Sequence, residues 1–496
     1  MELRDHSFLG LTQSLCPSCH RVVPAKIIDR GGRVYFQKRC PEHGVREDFI
    51  CSDVGYYDRL EYAVPGKIPA GFGSFPKRGC PYDCGLCTEH EQHTCIGLVE
   101  LTSSCNLRCP MCYASSAPGG THESLEDVKR AIDRLVATEG QAEILQLSGG
   151  EPTLHPEFEA ILAYAYERDV QHVMLNTNGL RFARDARLVE HVARYARRFE
   201  VYFQLDGLDA QVTRSLRAAD ILREKLEALD RLAEHGVRVT LVATLQPGVN
   251  DDQLGRLIEF AIERPNIGGV SFQPATYSGR SELPETLEKR ITFPDVVKGI
   301  AAQTRGLFRE SDFMPLPCAH PNCHTLSYAY RDGRRVYPLL RFIDARKHKD
   351  LLANGIAFDR PRAKQLITDY LRAEGCAEGD CASPESWLAS ALGKRLRGGA
   401  DSSDAGTTSA ALYDFFSSAL AETLSPERMF RIAITSFLDV YNFDLRRVMK
   451  CCTHHVLPSG HVIPFCAYNV LYRPGHAPLP ELEHQLIQLT KSSERG

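Results

Sequence analysis

What the sequence lacks narrows the field first. No run of about 18 consecutive apolar residues occurs, so no membrane-spanning helix is expected. The opening residues, MELRDHSFLG, do not carry a basic stretch followed by an apolar one, so no secretory leader is expected and a reducing cytoplasm is the expected location. A sustained basic block is also missing. Lys and Arg number 59 against 63 Asp and Glu, for a net charge of −4, and arginine-rich pieces such as RYARRF and KRLRG are scattered among acids. That balance speaks against nucleic acid as a partner and reads as solvated helix faces. With 496 residues, 25% of them charged, the chain is expected to be a soluble globular protein of about two to four domains.

Cysteine, by contrast, is abundant: the chain has 18. In a reducing compartment they are expected to be metal ligands rather than disulfides, and they are clustered. Residues 1–75 read as a small N-terminal unit. LCPSCHRVVPAKIIDRGGRVYFQKRCPEHG runs knuckle, strand, Gly31-Gly32 turn, strand, knuckle. Val34, Phe36 and Lys38 alternate there against Arg33, Tyr35 and Gln37. Two knuckles across a hairpin form a rubredoxin-like or zinc-ribbon-like site with Cys16, Cys19 and Cys40. The fourth ligand is His43 or Cys51, and the mononuclear ion is iron or zinc.

Residues 76–96 hold GCPYDCGLCTEHEQHTC, with Cys80, Cys84, Cys87 and Cys95. Four thiols so close suit a fully ligated auxiliary iron–sulfur cluster. From 97 to 310 the pattern becomes regular. Strand-like runs at 97–102, 143–148, 172–176, 200–206, 237–245 and 269–273 alternate with amphipathic segments. SLEDVKRAIDRLVA opens with a Ser124 cap and puts Leu125, Val128, Ile132 and Leu135 on one face. ADILREKLEALDRLAEHG ends at Gly236 as a helix stop. Six β/α units in a row predict an α/β fold with a parallel sheet. Six are too few for a full eight-fold barrel, so an open, partial (β/α)6 barrel is expected. Residues 311–496 lose this rhythm. Helices are predicted near 410–424 and 427–449, after a polar linker at 398–409 and before a last cysteine-bearing stretch. Cys376 and Cys381 flank a short acidic loop and are left unassigned.

The decisive stretch is CIGLVELTSSCNLRCPMCYA, where Cys105, Cys109 and Cys112 follow the first strand of the regular region. Three thiolates at this spacing can wrap three corners of an iron–sulfur cube, leaving one iron open to a small molecule. Zinc sites favour paired C-x2-C knuckles instead. The same C-x3-C-x2-C spacing occurs at Cys80, Cys84 and Cys87, but no strand precedes that copy.

This stretch, followed in order by LSGGEPTLHP, LNTNG, FQLDG and SFQPATYSGR at successive strand ends, resembles the radical S-adenosylmethionine (SAM) superfamily. The resemblance implies that Cys105, Cys109 and Cys112 hold a SAM-binding 4Fe-4S cluster. It implies that Gly149, Gly150, Glu151 and Pro152 line the amino group and methionine part of SAM, that Gln204 and Asp206 contact its ribose or carboxylate, and that Asn176 is also a SAM-binding residue. It also implies reductive cleavage of SAM to a 5′-deoxyadenosyl radical, which abstracts hydrogen from an unactivated carbon.

Over most of its length the chain is similar to one branch, the tetraether lipid synthases and dihydropterin-methylating enzymes. CPSC…CPEHG, CAHPNC and CCTHHVLPSGHVIPFCAYN carry that likeness. Two auxiliary clusters are implied. The second is expected to be shared by Cys318, Cys323, Cys452 and Cys466. Cys451 competes with Cys452, but neighbours in an extended chain point opposite ways, so only one ligates. The expected activity is carbon–carbon bond formation between lipid tails. The alternative is methyl or methylene transfer to a pterin-like small molecule. Expected partners are a lipid or small-molecule substrate and an electron donor such as ferredoxin or flavodoxin; a lipid substrate would bring peripheral membrane contact.

Overall fold

The Gly31-Gly32 turn is where the N-terminal unit takes its shape. In the computed structural model, which describes residues 5–344, 346–349, 360–375 and 405–489, both glycines have positive φ and sit between the paired Arg30 and Arg33. Only such a left-handed pair matches the twist of a two-residue hairpin. Strands β1 (Ser7–Leu15), β2 (Val22–Arg30), β3 (Arg33–Cys40) and β4 (Gly44–Cys51) form an antiparallel meander in chain order. Val34, Phe36 and Lys38 all point inward and are buried. Lys38 is matched there. Its ammonium lies 3.0 Å from Asp48 and donates to the main-chain oxygens of Leu15, Val440 and Tyr441 at 3.0, 3.1 and 2.7 Å. A buried cation is costly without partners, and two of these partners belong to the far end of the chain. Lys38 thus fastens the ribbon to the C-terminal region.

The regular region folds into parallel strands β5 (Ile96–Thr102), β6 (Ala142–Gly149), β7 (Val170–Thr177), β8 (Phe199–Gln204), β9 (Arg238–Leu245) and β10 (Ile267–Pro274). Helices α1 (Leu125–Glu139), α2 (Phe158–Glu167), α3 (Leu180–Arg184), α4 (Ala186–Ala193), α5 (Ala210–Arg217), α6 (Leu222–Glu234) and α7 (Leu254–Ile262) connect them, and α8 (Phe293–Gln303) follows. Ser124 caps α1 by accepting from Asp127 N at 3.1 Å, and Val128, Ile132 and Leu135 are buried as the spacing predicted. The main core lies between these helices and the sheet.

The C-terminal region enlarges that sheet. β11 (Met314–Pro315), β12 (His324–Asp332) and β13 (Arg335–Pro338) are antiparallel additions at one side. β14 (Met429–Thr435) lies parallel to β10, and β15 (Thr453–Val456) lies parallel to β5, with β16 (Val462–Pro464) beyond it. The parallel run is therefore bracketed on both edges by strands from the end of the chain. Among the described residues the sheet does not close. The helix predicted at 427–449 is absent. Phe430, Ile432 and Ile434 are buried at every second position, a strand period; apart from a 3-10 turn at Pro426–Arg428, only Leu445–Met449 is helical there. Leu412, Phe415 and Phe416 pack with Tyr330 and Tyr370 in a separate apolar cluster. Cys376, Cys381 and residues 398–404 of the polar linker lie outside the described residues. No helix among the described residues is long and apolar enough to cross a membrane.

Candidate active site

A cavity of about 140 Å³ opens at the C-terminal ends of the parallel strands. Each of β6 to β10 contributes a lining residue there: Gly149, Asn176, Gln204, Thr244 and Gln273. This is the end at which β/α folds build their chemistry. Cys105, Cys109 and Cys112 line the same cavity. Their loop is tied down at both ends: Cys105 N donates to Ala117 O at 3.1 Å, while Cys112 and Arg280 exchange main-chain hydrogen bonds of 2.8 and 3.0 Å. Phe437, Leu438 and Phe465 add apolar lining.

The two glycines of LSGGEP are required by close approach. A Cβ on Gly149 would meet Thr102 O at 2.3 Å, and one on Gly150 would meet Ser104 O at 2.2 Å. Without side chains, Gly150 N reaches Thr102 O at 2.7 Å and Glu151 N reaches Ser104 O at 2.9 Å. The Gly-Gly pair therefore sets the position from which the cysteine loop starts. Glu151 and Pro152 are buried and do not line the cavity. The Glu151 carboxylate accepts from Thr153 N, Thr153 Oγ1, Thr177 Oγ1 and Asn178 N at 3.1, 2.6, 2.8 and 2.8 Å. Three of these donors reach Oε1 and one reaches Oε2, so the carboxylate braces the ends of β6 and β7.

A polar ladder crosses the cavity floor. Asn176 Nδ2 donates to Ser148 Oγ at 3.2 Å, Gln204 Nε2 to Asn176 Oδ1 at 2.9 Å, and Arg217 Nη2 to Gln204 Oε1 at 3.0 Å. Arg217 then grips Asp206 with two bonds of 2.6 Å and points Nη1 at Cys109 Sγ, 3.9 Å away. Asp206 is fully buried and off the cavity surface; Arg217, which sequence reasoning missed, lines it. Burial opposes the charge on Arg217, but Asp206 and the Cys109 sulfur outweigh it and hold the guanidinium firmly protonated. Lys225 was missed as well. Fully buried, it donates to Asn178 O and Gln204 O at 2.8 and 2.7 Å, and burial followed by the nearby Arg217 charge brings its ammonium down to about 8. Neither residue sits in a motif.

Across 93% of its length the chain is 32% identical to 7,8-dihydro-6-hydroxymethylpterin dimethyltransferase of Methanocaldococcus jannaschii, covering 94% of that protein. Residues 99–261 match the Radical SAM superfamily model, and residues 8–52 match the HMPTM N-terminal zinc ribbon domain. The chain belongs to the radical SAM superfamily. Solved structures overlap only partly. Streptococcus suis SuiB bound to S-adenosylmethionine gives a TM-score of 0.35 at 18% identity, over 43% of this chain and 47% of that one. Methylornithine synthase (PylB) gives 0.32 at 11%, over 43% and 63%. Overlap this low identifies no shared activity.

As a radical SAM protein, the chain uses a 4Fe-4S cluster and SAM, and the cavity fits them. Its three thiols converge from one tied loop, and Leu107 N already donates to Cys105 Sγ at 3.4 Å. Burial pushes the unligated Cys105 thiol up to about 12, so its thiolate is a state that iron would have to stabilise. In the ribbon, the ligand atoms of Cys16, Cys19, Cys40 and His43 all lie within 4.8 Å of one another. Burial would raise the Cys16 thiol, but the N–H groups of Cys19 and Ser18 bring it down to about 7, which favours metal binding. Cys51 stands apart. Its Sγ donates to Asp53 O at 3.4 Å, and burial pushes its thiol up to about 12.

The remaining thiols regroup. Cys80, Cys84 and Cys87 line a small cavity together with His90, but Cys95 does not. It packs instead with Cys318 and Cys452, and its Sγ meets His93 Nε2 at 3.4 Å. Strand register is the reason. Thr453 pairs with Ile96, so the residue before each strand, Cys452 and Cys95, is carried to the same place. The ligand atoms of His93, Cys95 and Glu143 also lie within 4.8 Å of one another. The expected foursome of Cys318, Cys323, Cys452 and Cys466 is likewise divided. Cys318 and Cys452 pack with Cys95, whereas Cys323 and Cys466 lie near each other and Arg447, with Cys452 also close to Cys323. Arg447 Nε donates to Cys323 Sγ at 3.3 Å, and Leu438 N to Cys466 Sγ at 3.2 Å.

Proposed function

We propose that this radical SAM enzyme is a methyl or methylene transferase acting on a pterin-like small molecule. The observation that carries this reading is the 32% identity over 93% of the chain to a named pterin dimethyltransferase. The lipid-tail reading has less behind it. The apolar helical face at Leu412, Phe415 and Phe416, its one feature beyond family likeness, packs against Tyr330 and Tyr370 and does not line the cavity.

Cys105, Cys109 and Cys112 would hold the cluster, and Asn176 and Gln204 would face SAM from the cavity floor. The cluster with SAM supplies a one-electron cleavage that enables hydrogen abstraction from an unactivated carbon. The chain's own residues do the rest. Arg217 keeps a fixed positive charge beside Cys109 and fixes Gln204. Gly149 and Gly150 place the cysteine loop. Phe437, Leu438 and Phe465 exclude water from the cavity. We further assign Cys80, Cys84 and Cys87 to one auxiliary cluster, and place a second among the thiols that surround Cys451 and Cys452. The electron donor is of the ferredoxin or flavodoxin class.

The test is anaerobic turnover of 7,8-dihydro-6-hydroxymethylpterin with SAM and reductant, read by mass spectrometry. A product heavier by a methyl or methylene unit is expected. An unchanged pterin, with lipid extracts consumed under the same conditions, would replace this reading with the lipid-joining one.

A further inference from the structure

Helix α1 ends on a carboxylate that turns inward. The side chain of Glu139 is 2% exposed, and it takes two donors from the stretch before β5: Thr94 N at 2.9 Å and His93 Nδ1 at 3.1 Å. An ionised carboxylate only accepts, so Nδ1 carries the imidazole proton and Nε2 keeps its lone pair. A carboxylate behind one ring nitrogen is how proteins orient the other toward a metal.

Nε2 faces two further donors. Cys95 Sγ lies 3.4 Å away and the Glu143 carboxylate 3.7 Å away. His93, Cys95 and Glu143 are all buried. Metal bonds of about 2.0 Å to nitrogen and about 2.3 Å to sulfur, at a tetrahedral angle, set those two atoms roughly 3.5 Å apart, so this spacing suits one shared ion. Lys67, half exposed, reaches Glu143 Oε1 from the surface at 3.2 Å, whereas Oε2 is buried with no hydrogen-bond partner. An unmet buried acceptor costs free energy, and a cation would meet it. On its other side Cys95 packs with Cys318 and Cys452. Cys95 N and Ile96 N both donate to Cys452 O, at 2.9 and 3.0 Å, which fixes Cys452 beside Cys95.

We propose that His93 Nε2, Cys95 Sγ and the Glu143 carboxylate bind a single zinc ion, with the Cys452 thiolate as fourth ligand. Thiolate and imidazole turn away hard cations such as magnesium and calcium, and the mixed nitrogen, sulfur and oxygen set suits zinc. Four protein ligands leave no position for a reactant, so the ion is structural. It fastens β15, from the end of the chain, to β5, the first strand of the parallel run. Cys323, Cys451 and Cys466, which lie near one another, remain for the second auxiliary cluster. The zinc site would stand whatever the substrate.

The experiment uses the full chain, anaerobic, loaded with iron and sulfide and then dialysed against zinc. Metal analysis is expected to find one zinc fewer per chain in His93→Ala, and in Cys95→Ala, than in wild type. Glu139→Gln leaves every ligand in place but removes the charge behind His93, and it is expected to weaken zinc binding by about ten- to a hundredfold. X-ray absorption at the zinc edge reads the ligands directly, in His43→Ala so that the ribbon holds no zinc. A shell of sulfur together with nitrogen and oxygen is expected. Equal zinc in wild type and His93→Ala would overturn the proposal. So would an all-sulfur shell, which would put the ion in an unfilled cluster site instead.

Discussion

The ribbon and the barrel mouth hold their thiols in opposite ways. In the ribbon, two short knuckles bring four ligand atoms within 4.8 Å of one another, a spacing that wraps one ion completely. At the mouth, three cysteines of a single loop border the wider cavity and leave one side open. A closed shell leaves no coordination position for a reactant, whereas an open one does. The ribbon is therefore a clasp, and the mouth is where chemistry can occur. Both sites use nearby cysteines in the sequence, so ligand count and openness separate their roles better than spacing alone.

Removing one ligand from each should separate the two sites most sharply. Cys109→Ala is expected to abolish 5′-deoxyadenosine formation while the ribbon keeps its ion. His43→Ala should empty the ribbon and leave the other metal sites filled. Metal analysis beside a chromatographic assay reads both, and normal SAM cleavage by Cys109→Ala would refute the assignment of the mouth. The next contrast concerns the regrouped thiols. Cys95→Ala and Cys452→Ala should remove the same metal centre, and Cys87→Ala a different one. Identical Mössbauer changes in Cys95→Ala and Cys87→Ala would restore the grouping expected from sequence.

Arg217→Lys keeps the charge but loses the fork that spans Gln204 and Asp206, which lysine cannot reproduce. Turnover is expected to fall by about ten- to a hundredfold, consistent with a loss of ~1.5–3 kcal/mol, with an altered electron paramagnetic resonance signal from the reduced protein. An unchanged signal and rate would remove Arg217 from the site. Lys225 makes a smaller, pH-dependent difference. Its ammonium titrates at about 8 in the fold, below the ordinary lysine value of 10.5. Between those values the unfolded chain binds a proton that the folded one does not, so this contribution to stability rises with pH across that window. Lys225→Met should flatten that rise in denaturant titrations. The smallest effect is expected for Cys51→Ala. It should keep the ribbon ion and cost only about 1–2 kcal/mol, as a modest loss of buried volume.

The barrel strands and the cysteine loop were legible in the sequence because both are local signals. Apolar runs of strand character such as GLVEL and HVML precede polar strand ends, and three thiols in one loop need no tertiary partner to be recognised. The ribbon's fourth ligand was not decided by spacing, since Cys51 is also close in sequence; burial in the apolar core and a bond to Asp53 O set it apart. Cys95 was assigned to the wrong neighbours because its position depends on the parallel register of β5 with β15, two segments far apart in the chain. The bracing role of Glu151 was hidden for a related reason. Two of its four donors, Thr177 Oγ1 and Asn178 N, come from the end of β7 and meet it only once the sheet has formed. Strand β14 was mistaken for helix because a short apolar stretch carries both periods weakly.

The two bracketing strands also set a timetable. While the chain is being made, β5 and β10 emerge with their outer edges bare, and the segments that cover them come off the ribosome last. Bare parallel edges are templates for pairing with other chains. A nascent copy is therefore exposed to misassociation until β14 and β15 have been made, and a product ending at Leu420 would keep that exposure for life. Such a truncation is expected to sediment with aggregates even though every residue of the six central β/α units is present.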